Sequence, residues 1–221
     1  MSTKTGATPT TEWHDPDKVA WYLERQDRLS PRREAEAVLV SALPPLPTRL
    51  LDLGCGDGRL AALTLEARPG ISEVIAVDRS PAMLERAAAR FRHDERVDVV
   101  SHDLAESIEP FGSFDVVVSG FAIHHLEDDR KQQLFAEVAA TLRAGGLFAN
   151  LEVVASTTPE LHEEFLAAVG RDADDPEDRL VRAEEQAEWM RAAGLSGVRC
   201  LWRWRALALL VASAPEDARL R

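Results

Sequence analysis

The chain has 221 residues, enough for one α/β domain of ordinary size with helices appended. Apolar residues make up 45% and charged residues 29%, a globular rather than a disordered composition, and no apolar run approaches the roughly 20 residues that span a bilayer. The net charge of −12 disfavours a nucleic-acid surface, which needs a basic face to displace phosphate counterions; Arg32, Arg33, Arg203 and Arg205 are where a local basic patch could form. Met1 to Glu12 is Thr-rich and polar, without the basic start or apolar stretch of a signal peptide, and is expected to be a flexible tail. Cys55 and Cys200 lack the spacing of a zinc site; two reduced thiols in a cytoplasmic chain are expected, and no metal.

Residues 13–47 read as an N-terminal helical cap. Val19, Tyr22, Leu23 and Gln26 share one face of a first helix, and Ser30-Pro31 is a start signal for a second, with Ala35, Val38, Leu39, Ala42 and Leu43 on its buried stripe. Pro44-Pro45-Leu46-Pro47 ends it, because proline cannot continue the hydrogen-bond ladder. From residue 49 short strands and helices alternate. Arg49 to Leu53 predicts a buried strand followed by a Gly-rich turn and a helix through about Ala67. Val74 to Val77 predicts a second strand ending at Asp78, and Ser80-Pro81 opens the next helix. Val97 to Val100 and Phe114 to Ser119 predict strands three and four. A helix is expected from about Glu127 to Arg143, stopped by Gly145-Gly146, and then a fifth strand from Leu147 to Val153. Thr158-Pro159 starts another helix, Asp172 to Asp178 reads as a surface loop, and a last helix closes at Gly194. Two β-rich runs follow, Val198 to Trp202 and Leu207 to Val211, with no Gly, Asn or Pro to signal the turn between them. Five βα units imply parallel pairing, and the two terminal strands must pair antiparallel or bend sharply.

The turn Leu51-Asp52-Leu53-Gly54-Cys55-Gly56-Asp57-Gly58 follows a strand and opens a helix. Alternate glycines let the backbone turn sharply and approach a ligand, and the helix N-terminus offers unpaired N–H groups. A dinucleotide fingerprint would carry its third glycine at position 59, which is Arg. Asp78 ends the next strand, where such sheets open into a ligand crevice and a carboxylate can accept both hydroxyls of a ribose.

These stretches resemble the class I S-adenosylmethionine-dependent methyltransferases of small-molecule type. The resemblance runs from Leu50–Leu60 and Asp78–Leu84 through Ser101-His102-Asp103-Leu104, Phe114–Ser119 and Phe121–Leu126 to Leu142–Leu147, covering about residues 48 to 153. It implies a Rossmann-like α/β fold: a seven-stranded, mostly parallel sheet with an antiparallel C-terminal strand, helices on both faces and the N-terminal cap, with residues 48–221 as catalytic domain. It implies S-adenosyl-L-methionine as cofactor and S-adenosyl-L-homocysteine as product. Asp52 would anchor the amino-acid part of the cofactor through its ammonium, with the backbone of Gly54, Cys55, Gly56 and Gly58 beneath. Asp78 would take the ribose, Arg79 and Met83 would flank the adenine, Asp103 and Leu104 would meet its edge and face, and Ser119 would contribute backbone near the methionine end.

Methyl transfer from a sulfonium chiefly requires that the acceptor lone pair be brought to near-attack distance with water excluded, so sequence constrains catalytic residues weakly. His124 and His125, past the end of strand four, are the candidate bases, and His125 ranks first. Glu152 near the end of strand five, and Tyr22, Arg25 and Arg33 on the cap, are candidates for gripping the acceptor or cofactor. In Trp202-Arg203-Trp204-Arg205 the alternation puts both rings on one face, as core packing or as a stacking platform for bases. The expected partner is a small-molecule methyl acceptor, with no nucleic acid and no membrane; the sequence leaves oligomeric state open. The competing readings are a tRNA-modifying enzyme of the wobble-uridine type, a nicotinamide dehydrogenase and a non-catalytic S-adenosylmethionine-binding protein.

Overall fold

The computed structural model describes residues 30–214, so Tyr22, Arg25, the 1–12 tail and the first cap helix lie outside the described residues. In chain order the elements are α1 (Ser30–Ala42), β1 (Arg49–Leu53), α2 (Arg59–Ala67), β2 (Glu73–Asp78), α3 (Pro81–Phe91), β3 (Val97–Ser101), β4 (Phe114–Gly120), α4 (Asp128–Thr141), β5 (Leu142–Val153), α5 (Pro159–Ala168), α6 (Ala183–Ala192), β6 (Ser196–Trp204) and β7 (Leu207–Ser213). Short 3₁₀ turns cover Glu109–Phe111 and Ile123–His125.

The strands form one seven-stranded sheet in the order β3-β2-β1-β4-β5-β7-β6. β1 to β5 are parallel; β7 runs antiparallel to both β5 and β6. Strand residues alternate between two cores, as a pleated strand requires. Val116 and Val118 of β4 face Ala35 and Leu39 of α1 and Leu60, Ala61 and Leu65 of α2. Val117 faces Leu134, Phe135 and Val138 of α4 and Ala187 and Met190 of α6. Among the described residues no helix is long and apolar enough to cross a membrane.

Two local expectations are corrected, and one turn that the sequence did not signal is accounted for. Gly145-Gly146 do not stop α4: it ends at Thr141 and β5 starts at Leu142, so the glycines lie in a bulge where the β4–β5 register shifts between Phe114 and Val116. The unsignalled turn between β6 and β7 is made by Arg205 at φ 50°, a left-handed conformation usually given to Gly or Asn. The acidic stretch 172–178 is not surface throughout, because the Asp178 side chain is only 3% exposed.

The sheet order fixes where a ligand binds. Successive crossovers leave β1 in opposite directions, toward β2 and β3 on one side and β4 and β5 on the other. Loops at the carboxyl ends of β1 and β4 therefore part and open a crevice.

Candidate active site at the carboxyl ends of the strands

The turn after β1 forms the floor of that crevice. Gly54, Gly56 and Gly58 sit at φ 66°, 55° and 80°, backbone that side-chain-bearing residues rarely adopt. Space forbids a side chain too: a Cβ on Gly54 would lie 2.2 Å from the Ala122 Cβ, and one on Gly58 2.4 Å from the Phe91 ring. Gly58 caps α2 and packs against α3, and it does not line the cavity. Arg90 of α3 holds the turn from outside, donating from Nε to the Asp57 carbonyl at 2.7 Å and pairing with its carboxylate.

Two carboxylates stand at the ends of adjacent strands. Asp78 accepts the Gly56 N–H on Oδ2 at 2.9 Å and the Ser80 N–H on Oδ1 at 2.8 Å, which ties the Gly-rich turn to the start of α3. Burial raises its carboxyl above the usual range, against those donors. Asp52 is 1% exposed; Oδ2 accepts the Ala61 N–H at 3.0 Å, while Oδ1 has no hydrogen-bond partner among the described residues. Burial lifts its carboxyl to about 7, and the charge of Asp78 adds to the shift.

A cavity of about 930 Å³, counting its open mouth, runs over these groups. Gly54 to Asp57, Asp52, Asp78, Arg79, Met83, Asp103 and Leu104 line one part, and Arg32, Phe121, Ala122 and His125 line another. His102 lines it as well; its ring stands edge-on to Phe111 and its buried Nε2 has no hydrogen-bond partner among the described residues. Phe121, just past β4, has φ 57°, a strained value for an aromatic residue, as found where a loop is held for a purpose.

A family model described as a methyltransferase domain matches residues 50–146. Over residues 50–146, under half of the chain, the sequence thus matches the methyltransferase domain family. An uncharacterised methyltransferase of Mycobacterium tuberculosis strain H37Rv is 38% identical over 127 residues, 56% of this chain and 58% of the relative. The chain thus spans under two thirds of the length of that relative. An O-methyltransferase family protein from Burkholderia thailandensis superimposes with a TM-score of 0.70 at 22% identity, covering 92% of this chain and 61% of that one. Human N-acetylserotonin methyltransferase in complex with S-adenosylmethionine gives 0.69 at 15% identity, covering 96% and 60%.

The crevice of the methyltransferase domain fits that cofactor by its own chemistry. Its size suits a nucleoside-sized ligand, the unpartnered Asp52 oxygen suits an ammonium, and the glycine floor admits a ligand where a Cβ would not fit. Asp52, Gly54, Cys55, Gly56, Asp78, Arg79, Met83, Asp103 and Leu104 all line it. Ser119 does not: it is fully buried and donates its hydroxyl to the Leu53 carbonyl at 2.9 Å, bridging β4 to β1. The Cys55 thiol is pushed well up by burial and stays protonated. Cys55 and Cys200 are both free.

Arg33 lies on the exposed face of α1, and its neighbour reaches the pocket instead. Arg32 is 8% exposed, bonds Glu36 at 2.8 Å and lies 5.3 Å from the Phe121 ring; Arg59 reaches the same carboxylate at 2.7 Å. Burial opposes the Glu36 charge, and the two guanidiniums outweigh it and lower its pKa. Helical period had the answer: Arg32, Ala35, Glu36 and Leu39 form one stripe, and Arg33 falls off it. His102, another lining residue that motif reading passed over, carried no signal beyond its place beside Asp103.

The histidine pair divides its roles. His124 is buried: its N–H donates to Glu152 Oε2 at 2.9 Å, and its Nδ1 bonds Oε1 of the same carboxylate. Its Nε2 stands 3.3 Å from Asp178 Oδ1. Burial presses this ring toward neutrality, and the Glu152 and Asp178 carboxylates outweigh it and raise its pKa to about 9. His125 is the member that lines the pocket; burial, and the charge on His124, hold it well below the ordinary imidazole range. Glu152 is fully buried beneath His124 and does not line the pocket, so it positions a ring rather than gripping an acceptor.

Proposed function

We propose that this chain transfers the methyl group of S-adenosylmethionine to an oxygen or nitrogen atom of a small-molecule acceptor. One observation carries the reading: a glycine turn that admits no side chain lies under a cavity with buried carboxylates at the ends of two adjacent strands. When bound, the cofactor supplies a methyl carbon activated by a sulfonium, with a neutral thioether as leaving group.

The chain's own residues bind, orient and exclude water. Asp52 Oδ1 receives the ammonium, and Asp78, already fixed by Gly56 and Ser80, offers its remaining lone pairs to the ribose hydroxyls. Met83 and Leu104 give apolar contact to the base. His125 and Phe121 face the acceptor, and the Arg32–Glu36–Arg59 network fixes α1 against the mouth. Such an arrangement accelerates the displacement by proximity and desolvation.

A small acceptor is favoured over RNA by the acidic surface. Arg203 pairs with Glu184 at 2.8 Å and Arg205 with Glu164 at 2.7 Å, so both are neutralised where a basic patch was conceivable, and Arg205 also lies over the Trp204 ring. The test is incubation with methyl-labelled cofactor and a metabolite extract, followed by identification of the labelled product. Label in a small molecule supports the proposal. Label in RNA, with binding that weakens steeply with salt, supports the tRNA reading instead. Tight cofactor binding with no labelled product in either fraction supports a binding protein without turnover.

A further inference from the structure

The wall behind His125 brings that ring together with two side chains, His124 and Asp178, that methyl transfer does not use. His124 Nε2, His125 Nδ1 and Asp178 Oδ1 converge within 4.8 Å of one another, with Asp178 Oδ1 3.3 Å from the first nitrogen and 3.5 Å from the second. These are not well-formed hydrogen bonds, and Asp178 Oδ1 has no hydrogen-bond partner among the described residues although its side chain is 3% exposed. Ligand atoms held about 2.1 Å from one ion at tetrahedral angles stand about 3.4 Å apart, which matches both separations from Asp178 Oδ1.

The surroundings fix each group in that pose. Glu152 holds the opposite nitrogen of His124, the carboxylate–histidine pairing that orients metal-binding imidazoles. The Asp175 N–H holds Asp178 Oδ2 at 3.1 Å and leaves Oδ1 facing the rings. The chain next to Asp178 is pinned on both sides of one residue: the Arg179 N–H donates to the His124 carbonyl at 2.8 Å, and the buried Lys131 ammonium donates to the Arg179 carbonyl. An ordinary surface ion pair needs none of this scaffolding.

We infer that His124, His125 and Asp178 form a site for one divalent transition-metal ion of borderline softness, Zn²⁺ in the first instance, set in the wall between two cavities. Two imidazoles and one carboxylate are the donor set such ions take, and three protein ligands leave a fourth position open. His125 lines the larger cavity and Asp178 lines its neighbour, where Ser156 and the His162–Asp174 pair also lie. The sequence reading expects no metal, on the spacing of the cysteines, and Asp178 lies 53 positions beyond His125 in a stretch that looks like solvated loop.

The inference does not depend on methyl transfer, and its test reads metal directly. Tag-free protein, stripped with chelator, is titrated with Co²⁺ followed by its visible ligand-field bands, then with competing Zn²⁺, and metal content is measured by mass spectrometry. One equivalent per chain is expected. Asp178→Asn and His124→Gln should weaken binding by a factor of about 100 or more, and Glu152→Gln by about 10 to 100. His162→Ala, at the neighbouring exposed pair, should bind as the parent does. Absence of stoichiometric metal in folded parent protein overturns the inference, as does binding that survives Asp178→Asn and His124→Gln or is lost in His162→Ala. Circular dichroism establishes that each variant is folded, and Asp178→Asn, which keeps the shape of the side chain, decides if His124→Gln does not fold.

Discussion

Asp52 illustrates how a single buried carboxyl can cost stability and serve binding. Its folded pKa of about 7 lies above the ordinary 3.8, so the folded chain holds this proton more tightly than the unfolded one does. Its contribution is complete below about pH 4 and is lost as pH rises through 7, a swing on the order of 4 kcal/mol. Asp52→Asn should therefore melt higher than the parent at pH 8 while losing cofactor affinity, seen by scanning calorimetry with and without ligand. In the parent, affinity for the cofactor should fall below about pH 7, as the carboxylate that meets the ammonium becomes protonated. Asp78 behaves differently, since it also staples Gly56 and Ser80. Asp78→Ala should abolish measurable cofactor binding in calorimetry and cost about 1–3 kcal/mol of stability from the two orphaned donors. Unchanged affinity in that variant would remove the ribose assignment.

At the scale of elements, turns and strand starts carry the strain and the staples. Gly54→Ala places a methyl group into Ala122 on backbone that already disfavours it. A destabilisation of about 2–4 kcal/mol is expected in urea melts. Adding Ala122→Gly should restore the part due to the collision and leave the backbone part. At the opposite end of the sheet, Asp115 of β4 accepts the Thr48 N–H and hydroxyl, each at 2.7 Å, and the Arg49 N–H at 2.9 Å, and pairs with Arg143 at 2.9 Å. Burial opposes its charge, and these donors outweigh it and bring its carboxyl down to about 2. The resulting stabilisation, about 2 kcal/mol, is present above pH 4 and disappears as pH falls toward 2. Asp115→Asn should be less stable than the parent at pH 7 by a similar amount, with the two melting curves converging near pH 2. These elements were legible to different degrees. Ser80-Pro81 and Thr158-Pro159 announced α3 and α5 because capping is local chemistry. The end of α4 was misplaced because Gly145-Gly146 reads alike as a helix stop and as a bulge, and only pairing with β4 separates the two.

Over the whole molecule, the crevice exists because the sheet changes winding direction at β1, and everything that binds there should stabilise the fold it depends on. S-adenosylhomocysteine at about one hundred times its dissociation constant should add about 2.7 kcal/mol, raising the melting temperature by roughly 5–10 °C for a domain of this size. No shift in a thermal melt would count against the cofactor pocket as drawn. The same topology brings the 171–180 segment back over the end of β4, where its acidic loop meets two histidines.

Local sequence was enough to specify the alternation of strands and helices, the glycine turn, Asp52 and Asp78. Their signals are periodicity, capping and left-handed backbone, which act over a few residues. Which arginine of the cap reaches the pocket, which histidine faces it, and the meeting of Glu152 and Asp178 around His124 were decided only by tertiary structure. Those outcomes depend on helix phase and on segments far apart in the chain, brought together by burial of a shared core.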